Sequence, residues 1–407
     1  MSAEEERDLA LDNQLLAQIF PRAKSVSTKV LAQTFETCTF VAYPEVSSEE
    51  ESTETLVRLE ISPSKIAAVS ALQQSASLAI PDLIPQVYEI GTASTEDGRK
   101  VDYSVTAFVR DAVTLESIWD ELDDDQVAHV VEQVVSVVSK LQSIDLLDED
   151  VQRLVTSGGG TAGTPIEPII PLGGLQVGFF TTATNLIRSL VAAQDDFDQI
   201  TITQDPGDTS VRFTTPFSDI GPVSLSQTAI DALQKSVVLC HNDLEPRNVL
   251  VQPVSRVADA GHDADTETQP ASYEVVAIID WEMAGFFPFA YEFFYKDLVL
   301  GSANLYYSWY RAFKERAARL LPSGAEAEGS EALFQALDLI LRARGRVETR
   351  NVGMLMQRRW IEREKVVRGA LWEGWVRDSK AGSVKKFTED DNEELELGVL
   401  RELGYIS

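Results

Sequence analysis

The chain has 407 residues and a formal charge of −30, with 65 acidic residues against 35 basic ones. Its hydrophobic share of 44% is enough for a full core in one large two-lobed domain or in two or three ordinary ones. A surface this acidic repels nucleic-acid backbones and anionic lipid, so neither nucleic acid nor a membrane is expected as a partner.

Targeting signals and disulfides are also not expected. The acidic start lacks a basic region followed by an apolar one, and no apolar run approaches the ~18 residues that span a bilayer. Two cysteines give no disulfide framework and fit a reducing compartment. We therefore expect a cytoplasmic protein without a membrane segment.

The first 110 residues are predicted to be rich in β-strands. Residues 1–24 indicate a short acidic helix, and residues 25–61 alternate as three strands around an acidic loop. Ser62-Pro63 predicts the start of a helix that runs to about Ser77, and two further strands precede residue 110.

The rest of the chain is predicted to be mainly helical. Apolar residues between Val127 and Leu141 recur at helical spacing, a glycine- and proline-rich loop covers 157–178, and helices dominate beyond Pro288. Residues 252–272 form a polar insertion, 342–368 are basic, and 381–407 form an acidic helical tail. The expected fold is α+β and two-lobed, with a β-rich lobe at 25–110 and a helical lobe at 111–380.

One polar stretch lies between two apolar, strand-like runs. His241, Asp243 and Asn248 have the spacing H-x-D-x4-N, which is the pattern of a kinase catalytic loop. Downstream, Asp280 follows the apolar run VVAII. Phosphoryl transfer needs a carboxylate to orient the attacking hydroxyl and oxygen ligands for Mg²⁺, so this pattern predicts a kinase-type site. A surface turn capped by Asp and Asn is the simpler alternative.

At CHNDLEPRNVLV and AIIDWEMAGFFPFAYEF, with weaker support from GFFTTATNLIRSL and VTLESIWDEL, the sequence resembles the aminoglycoside phosphotransferase and choline kinase-like family. The resemblance implies a protein-kinase-like fold and transfer of phosphate from ATP, with Mg²⁺, to a hydroxyl of a small molecule. It also implies roles for single residues: Asp243 as base, His241 as a brace of the catalytic loop, Asn248 and Asp280 as metal ligands assisted by Glu282, and Phe108 and Val109 beside the adenine.

The part that would hold the phosphates departs from the family pattern. The first glycine of the chain is Gly91, so the expected phosphate loop near 34–39 has none, and the hydroxyls of Thr37 and Thr39 are the substitutes. Arg58 is the candidate for the basic residue on the third strand. The helix after that strand contains no carboxylate, and Glu60 is an uncertain replacement.

Two functions therefore stay open at this point. The first is a small-molecule kinase, and the second is a pseudokinase that binds a nucleotide or a partner without catalysis. The acidic run at 116–125 is either a solvated helix start or an attraction for a cationic acceptor, and the basic segment either neutralises acidic surface or holds an anionic acceptor.

Overall fold

The structure is a computed structural model. It describes residues 8–45, 54–158, 171–192, 199–204, 210–254, 272–298, 306–324, 327–347, 352–364, 366–368, 375–377 and 388–406. Most of the polar insertion predicted at 252–272 lies outside these residues, as does His262.

A five-stranded antiparallel sheet forms the first lobe. Its strands run in the order β1-β2-β3-β5-β4. Their bounds are β1 Ser25–Gln33, β2 Thr37–Glu45, β3 Thr55–Ile61, β4 Val87–Ser94 and β5 Lys100–Ala107. The alternation of the sequence therefore predicted these strands correctly.

The two faces of this sheet differ in polarity. One face is apolar, and Leu9 together with Leu15 and Ile19 of helix α1 (Asn13–Ile19) packs against it in a core that includes Phe40. The opposite face carries Arg58 and Glu60 of β3, which lie across from Thr39 and Thr37 of β2 in the strand register. Because side chains alternate along a strand, these four polar residues share one side of the sheet.

Helix α2 (Ile66–Ser77) begins three residues later than the sequence predicted. The Ser62-Pro63 peptide bond is cis, and the backbone N–H of Ser64 donates to the carboxylate of Asp102 on β5. This contact ties Ser64 to β5, two residues before the helix begins, and supplies an acceptor for an N–H group that has none inside a helix.

The second lobe is built mainly from helices around a large apolar core. These are α3 Leu115–Ile118, α4 Asp124–Leu141, α5 Glu149–Gly158, α6 Ala183–Ala192, α7 Gln227–Lys235, α8 Phe289–Leu298, α9 Tyr307–Ala317, α10 Ala327–Val347, α11 Val352–Glu364 and α12 Glu389–Leu403. Asp123 caps α4 in a reciprocal capping box with Gln126, which gives part of the acidic run a structural role.

Short sheets in this lobe hold its loops. One has the order β12-β15-β7-β8, a second β14-β13-β6 and a third β11-β10-β9. Their strands are β6 Val113–Thr114, β7 Leu172–Gly174, β8 Gly178–Phe180, β9 Thr201–Thr203, β10 Val211–Thr214, β11 Val223–Leu225, β12 Val237–Cys240, β13 Val249–Val254, β14 Ser272–Ile278 and β15 Gly285–Pro288.

Beyond Pro288 the regular structure among the described residues is mainly helical, as predicted, with one hairpin of β16 (Val366–Arg368) and β17 (Trp375–Arg377). Several arginines of the basic segment bind acidic groups: Arg346 pairs with Asp219, and Arg359 with Glu402. These pairs support the neutralisation account for those residues. None of the described helices combines the length and the apolar character needed to cross a membrane.

Candidate active site

The loop between β12 and β13 carries the H-x-D-x4-N residues. Its flanks pair with different strands: β12 with β15, and β13 with β14. Both flanks are largely buried, and the loop ends in a 3₁₀ turn at Pro246–Asn248. The two sheets therefore position a short polar segment between two parts of the core.

His241 is fully buried and braces this loop. One ring nitrogen lies 2.9 Å from the carbonyl oxygen of Ile279, and the other accepts the backbone N–H of Asp243 at 3.2 Å. Burial lowers the pKa of His241 to about 4, so the ring is neutral near pH 7. This geometry agrees with a bracing role, because the ring nitrogens are used inside the protein.

The carboxylate of Asp243 is held from two sides. The amide of Asn248 donates to Oδ2 at 2.7 Å, and Nη2 of Arg247 lies 2.7 Å and 2.9 Å from the two oxygens. The side chain of Asp243 keeps 14% exposure, so its carboxylate is reachable from solvent. The contact of Arg247 with Asp243 was not predicted from the sequence, although the spacing of four residues between them would have indicated it.

Asp280 lies next to this loop. The backbone N–H of Ile279 donates to the carbonyl of Asn248 at 3.0 Å, which aligns the start of the DWE segment with the end of the catalytic loop. Asp280 has a left-handed backbone conformation, with φ of 65°. Burial, with Glu282 and Asp243 nearby, raises the pKa of Asp280, while Arg58 opposes the shift.

The residues near Asp280 fit a divalent cation of the Mg²⁺ type. Its Oδ1 atom is buried and has no hydrogen-bond partner among the described residues, so this oxygen is available as a metal ligand. Within the described ranges, no group of three His, Cys, Asp or Glu side chains is arranged to hold a metal ion. Kinase-type Mg²⁺ sites need only one or two carboxylates besides phosphate and water, so this finding is compatible with such a site.

Arg58 connects the sheet to the DWE segment. Its Nε donates to Glu60 at 2.8 Å and its Nη2 to Glu282 at 3.1 Å, while Nη1 lies 3.8 Å from Oδ1 of Asp280. Burial alone would lower the pKa of Arg58, but the carboxylates of Glu60, Glu282 and Asp280 outweigh it and raise the pKa. The two lobes thus meet at one guanidinium and three carboxylates.

The turn between β1 and β2 lies where the sequence predicted the phosphate loop. The hydroxyl of Thr34 accepts the backbone N–H groups of Glu36 at 3.3 Å and Thr37 at 3.0 Å, and it lies 3.0 Å from the hydroxyl of Thr37. The turn therefore satisfies its own donors. Thr37 has its hydroxyl engaged in this turn, whereas Thr39 lies beside Arg58 on the polar face of the sheet.

Phe108 and Val109 lie in the connection that leaves β5 for the second lobe, and both are half-buried. Their backbone is close to the end of β4, since the N–H of Ala107 donates to the carbonyl of Gln86 at 2.8 Å. Arg58 forms ion pairs with Asp280 and Glu282, and Asn248 binds the carboxylate of Asp243. The backbone hydrogen bond from Ile279 to Asn248 connects these two groups, and the five residues are together called the cluster. Their assigned roles, like the adenine contact of Phe108 and Val109, remain predictions.

Buried charges behind the catalytic loop were not predicted from the sequence. Glu292 on α8 accepts the backbone N–H of Asn242 at 2.9 Å. One turn later on α8, Lys296 donates to the carbonyl of Leu244 and to the carboxylate of Glu245 at 2.6 Å. Burial raises the pKa of both carboxylates, which shows how strongly the loop is enclosed.

No protein-family model matches the sequence, and no curated protein matches it either. Solved structures that resemble the chain include a thermostable mutant of aminoglycoside phosphotransferase APH(4)-Ia, with 15% identity, a TM-score of 0.44 and coverage of 86% of this chain and 99% of that one. Spectinomycin phosphotransferase APH(9)-Ia gives 10% identity, a TM-score of 0.36 and coverage of 96% and 98%. Choline kinase from Cryptosporidium parvum gives 11% identity, a TM-score of 0.38 and coverage of 86% of this chain and 94% of that one.

The two-lobed arrangement of an antiparallel sheet and a helical lobe, predicted from the sequence, is confirmed by the elements of this chain. The solved structures found in the comparison are of the kinds that the sequence motifs resemble, aminoglycoside phosphotransferases and a choline kinase.

Proposed function

We propose that the protein is a phosphotransferase that moves phosphate from ATP, with Mg²⁺, to a hydroxyl of a small molecule. One observation carries this proposal: Asn248, which binds the carboxylate of Asp243, also accepts the backbone N–H of Ile279, and the next residue, Asp280, has a buried Oδ1 atom that accepts no hydrogen bond within the described residues. A base for the acceptor hydroxyl and a ligand for a cation are the two groups that the reaction requires.

Each residue of the cluster has a task in this proposal. Asp243 orients the acceptor hydroxyl and accepts its proton, while His241 and Asn248 hold the loop and the carboxylate in place. Asp280 and Asn248, with Glu282, would hold the metal, and Arg58 would bind phosphate oxygens. When bound, Mg²⁺ neutralises charge on the phosphates.

A nucleotide- or partner-binding protein without catalysis is the second candidate. The observation that favours it is the turn at Thr34–Thr37, because the N–H groups of Glu36 and Thr37 are bound to the hydroxyl of Thr34. Backbone N–H groups that are already satisfied contribute less to phosphate binding than the open ones of a glycine-rich loop.

A screen of small hydroxylated metabolites for ADP release, with Mg²⁺ and with chelator, tests the catalytic proposal. Asp243→Asn should lower turnover by ~10²–10⁴-fold, the usual contribution of a general base, and leave the ATP-induced thermal shift in place. Asp82→Asn, an exposed residue remote from the cluster, is the control and should keep wild-type turnover. Equal turnover of wild type and Asp243→Asn would refute the assignment of the base.

A further inference from the structure

Arg58 is held differently at each of its three nitrogens. Nε binds Glu60, two residues along the same strand, whereas the Nη groups approach Glu282 and Asp280 of the second lobe. Nε is the nitrogen nearest the side-chain stem. The contact with Glu60 therefore sets the orientation of the guanidinium plane and directs both Nη groups across the cleft.

The surrounding elements offer Arg58 little other support from the first lobe. Helix α2 contains no Asp or Glu in Ile66–Ser77, and Lys65 just before it donates to the carbonyl of Leu175. Across the strand register, Arg58 faces Thr39 on one side and Ser104 on the other. Glu60 is thus the one carboxylate from the first lobe, within the described part of the chain, that forms an ion pair with Arg58.

We propose that Glu60 is a positioning residue, which fixes Arg58 so that its two Nη groups can exchange Glu282 and Asp280 for the phosphate oxygens of a nucleotide. This inference rests on the proposed function. Arg58, which would bind the phosphates, and Glu60, which orients it, then belong to the same strand, and the orientation of the guanidinium does not depend on the position of α2.

The direction in which phosphate affinity changes when Glu60 is replaced distinguishes this positioning role from simple charge repulsion. Glu60 is negative, so its removal would tighten phosphate binding if the residue acted only through its charge. If Glu60 orients Arg58, Glu60→Gln should instead weaken binding. The glutamine oxygen can still accept from Nε, but the ionic part of the contact is lost, and we expect about a tenfold lower affinity.

The experiment is a calorimetric titration of the full chain, in chelator, with tripolyphosphate, ATP and adenosine. Glu60→Gln should bind tripolyphosphate and ATP about tenfold more weakly than wild type does. Its affinity for adenosine should be unchanged. A general loss of structure would weaken adenosine equally. Glu45→Gln, at the far end of β2, is the matched control and should bind all three as wild type does.

A double-mutant cycle with Arg58→Lys checks that Glu60 acts through Arg58. Lysine has no Nε–H group, so Glu60→Gln should have little further effect in that background. Tighter or unchanged tripolyphosphate binding by Glu60→Gln would overturn this inference and leave the proposed function standing. A wild-type chain that binds neither ATP nor tripolyphosphate, in chelator or with Mg²⁺, would overturn both.

Discussion

The loop between β12 and β13 is held mainly by buried side chains, whereas the turn between β1 and β2 is held by hydrogen bonds at an exposed position. The loop receives contacts from the buried Glu292 and Lys296 and from the half-buried Ile279. The turn relies on the hydroxyl of Thr34 and on backbone N–H groups of Leu9 and Ile61, in a part of the sheet where Phe35 is 40% exposed. Burial therefore dominates in one region and exposed hydrogen bonds in the other.

This difference bears on how the two regions tolerate change. A buried, charged network is strongly destabilised when one member is removed, because the remaining charge loses its partner inside the protein. A substitution in an exposed turn lowers stability by at most about the contribution of one hydrogen bond. We expect substitutions near the catalytic loop to affect folding first, and substitutions in the turn to affect ligand binding first.

The largest effect is expected at Lys296. Lys296→Met leaves Glu245 buried without its cation and should lower the free energy of unfolding by about 3–5 kcal/mol. Urea titration followed by tryptophan fluorescence measures this change. The control is Arg311→Met, which breaks an exposed pair with Glu315 and should cost less than about 1 kcal/mol. Similar losses for the two variants would contradict the distinction between the loop and the surface.

A pH-dependent effect is expected at His241. Its pKa is about 4 in the folded chain, against an ordinary value of 6.5 in the unfolded chain, so only the unfolded state takes up a proton between these values. Stability from this residue is thus complete above pH 6.5 and is lost as the pH falls towards 4. At ~1.4 kcal/mol for each pH unit, the total is on the order of 3 kcal/mol.

The measurement compares urea titrations of wild type and His241→Gln at several pH values between 4 and 7. Subtracting the variant removes the contributions of the buried carboxylates, whose raised pKa values act in the opposite direction. The stability advantage of wild type should shrink as the pH falls. His129→Gln, at an exposed position on α4, is the control for the loss of a histidine as such. A stability difference between wild type and His241→Gln that does not change with pH would contradict the lowered pKa of His241.

The sequence predicted those features that have a local pattern. Alternation predicted β1 to β5, and the H-x-D-x4-N spacing, with a strand-borne aspartate downstream, pointed to the two segments that the hydrogen bond from Ile279 to Asn248 joins. The pair of Glu60 and Arg58 also had a local signal, since residues two apart on a strand share a face.

Other features had no local signal. Lys296 binds Glu245 across 51 positions of sequence, and Asn242 binds Glu292 across 50, so neither pair could be read from spacing alone. The segment just before α2 is bound by Asp102, which belongs to a strand that follows the helix. Such contacts exist only once the tertiary structure brings the elements together.

The smallest effect is expected in the turn itself, at Glu36. If ATP phosphates lie near the turn, Glu36→Gly removes a repelling carboxylate and loosens the backbone, so tripolyphosphate should bind several-fold more tightly, equivalent to about 1 kcal/mol. Calorimetry at low ionic strength is the measurement, because added salt screens exposed charges. Glu96→Gly removes the same charge from the turn between β4 and β5 and should leave the affinity unchanged. If both variants bind alike, the phosphates lie away from the β1–β2 turn, and Arg58 with the loops of the second lobe must hold them without it.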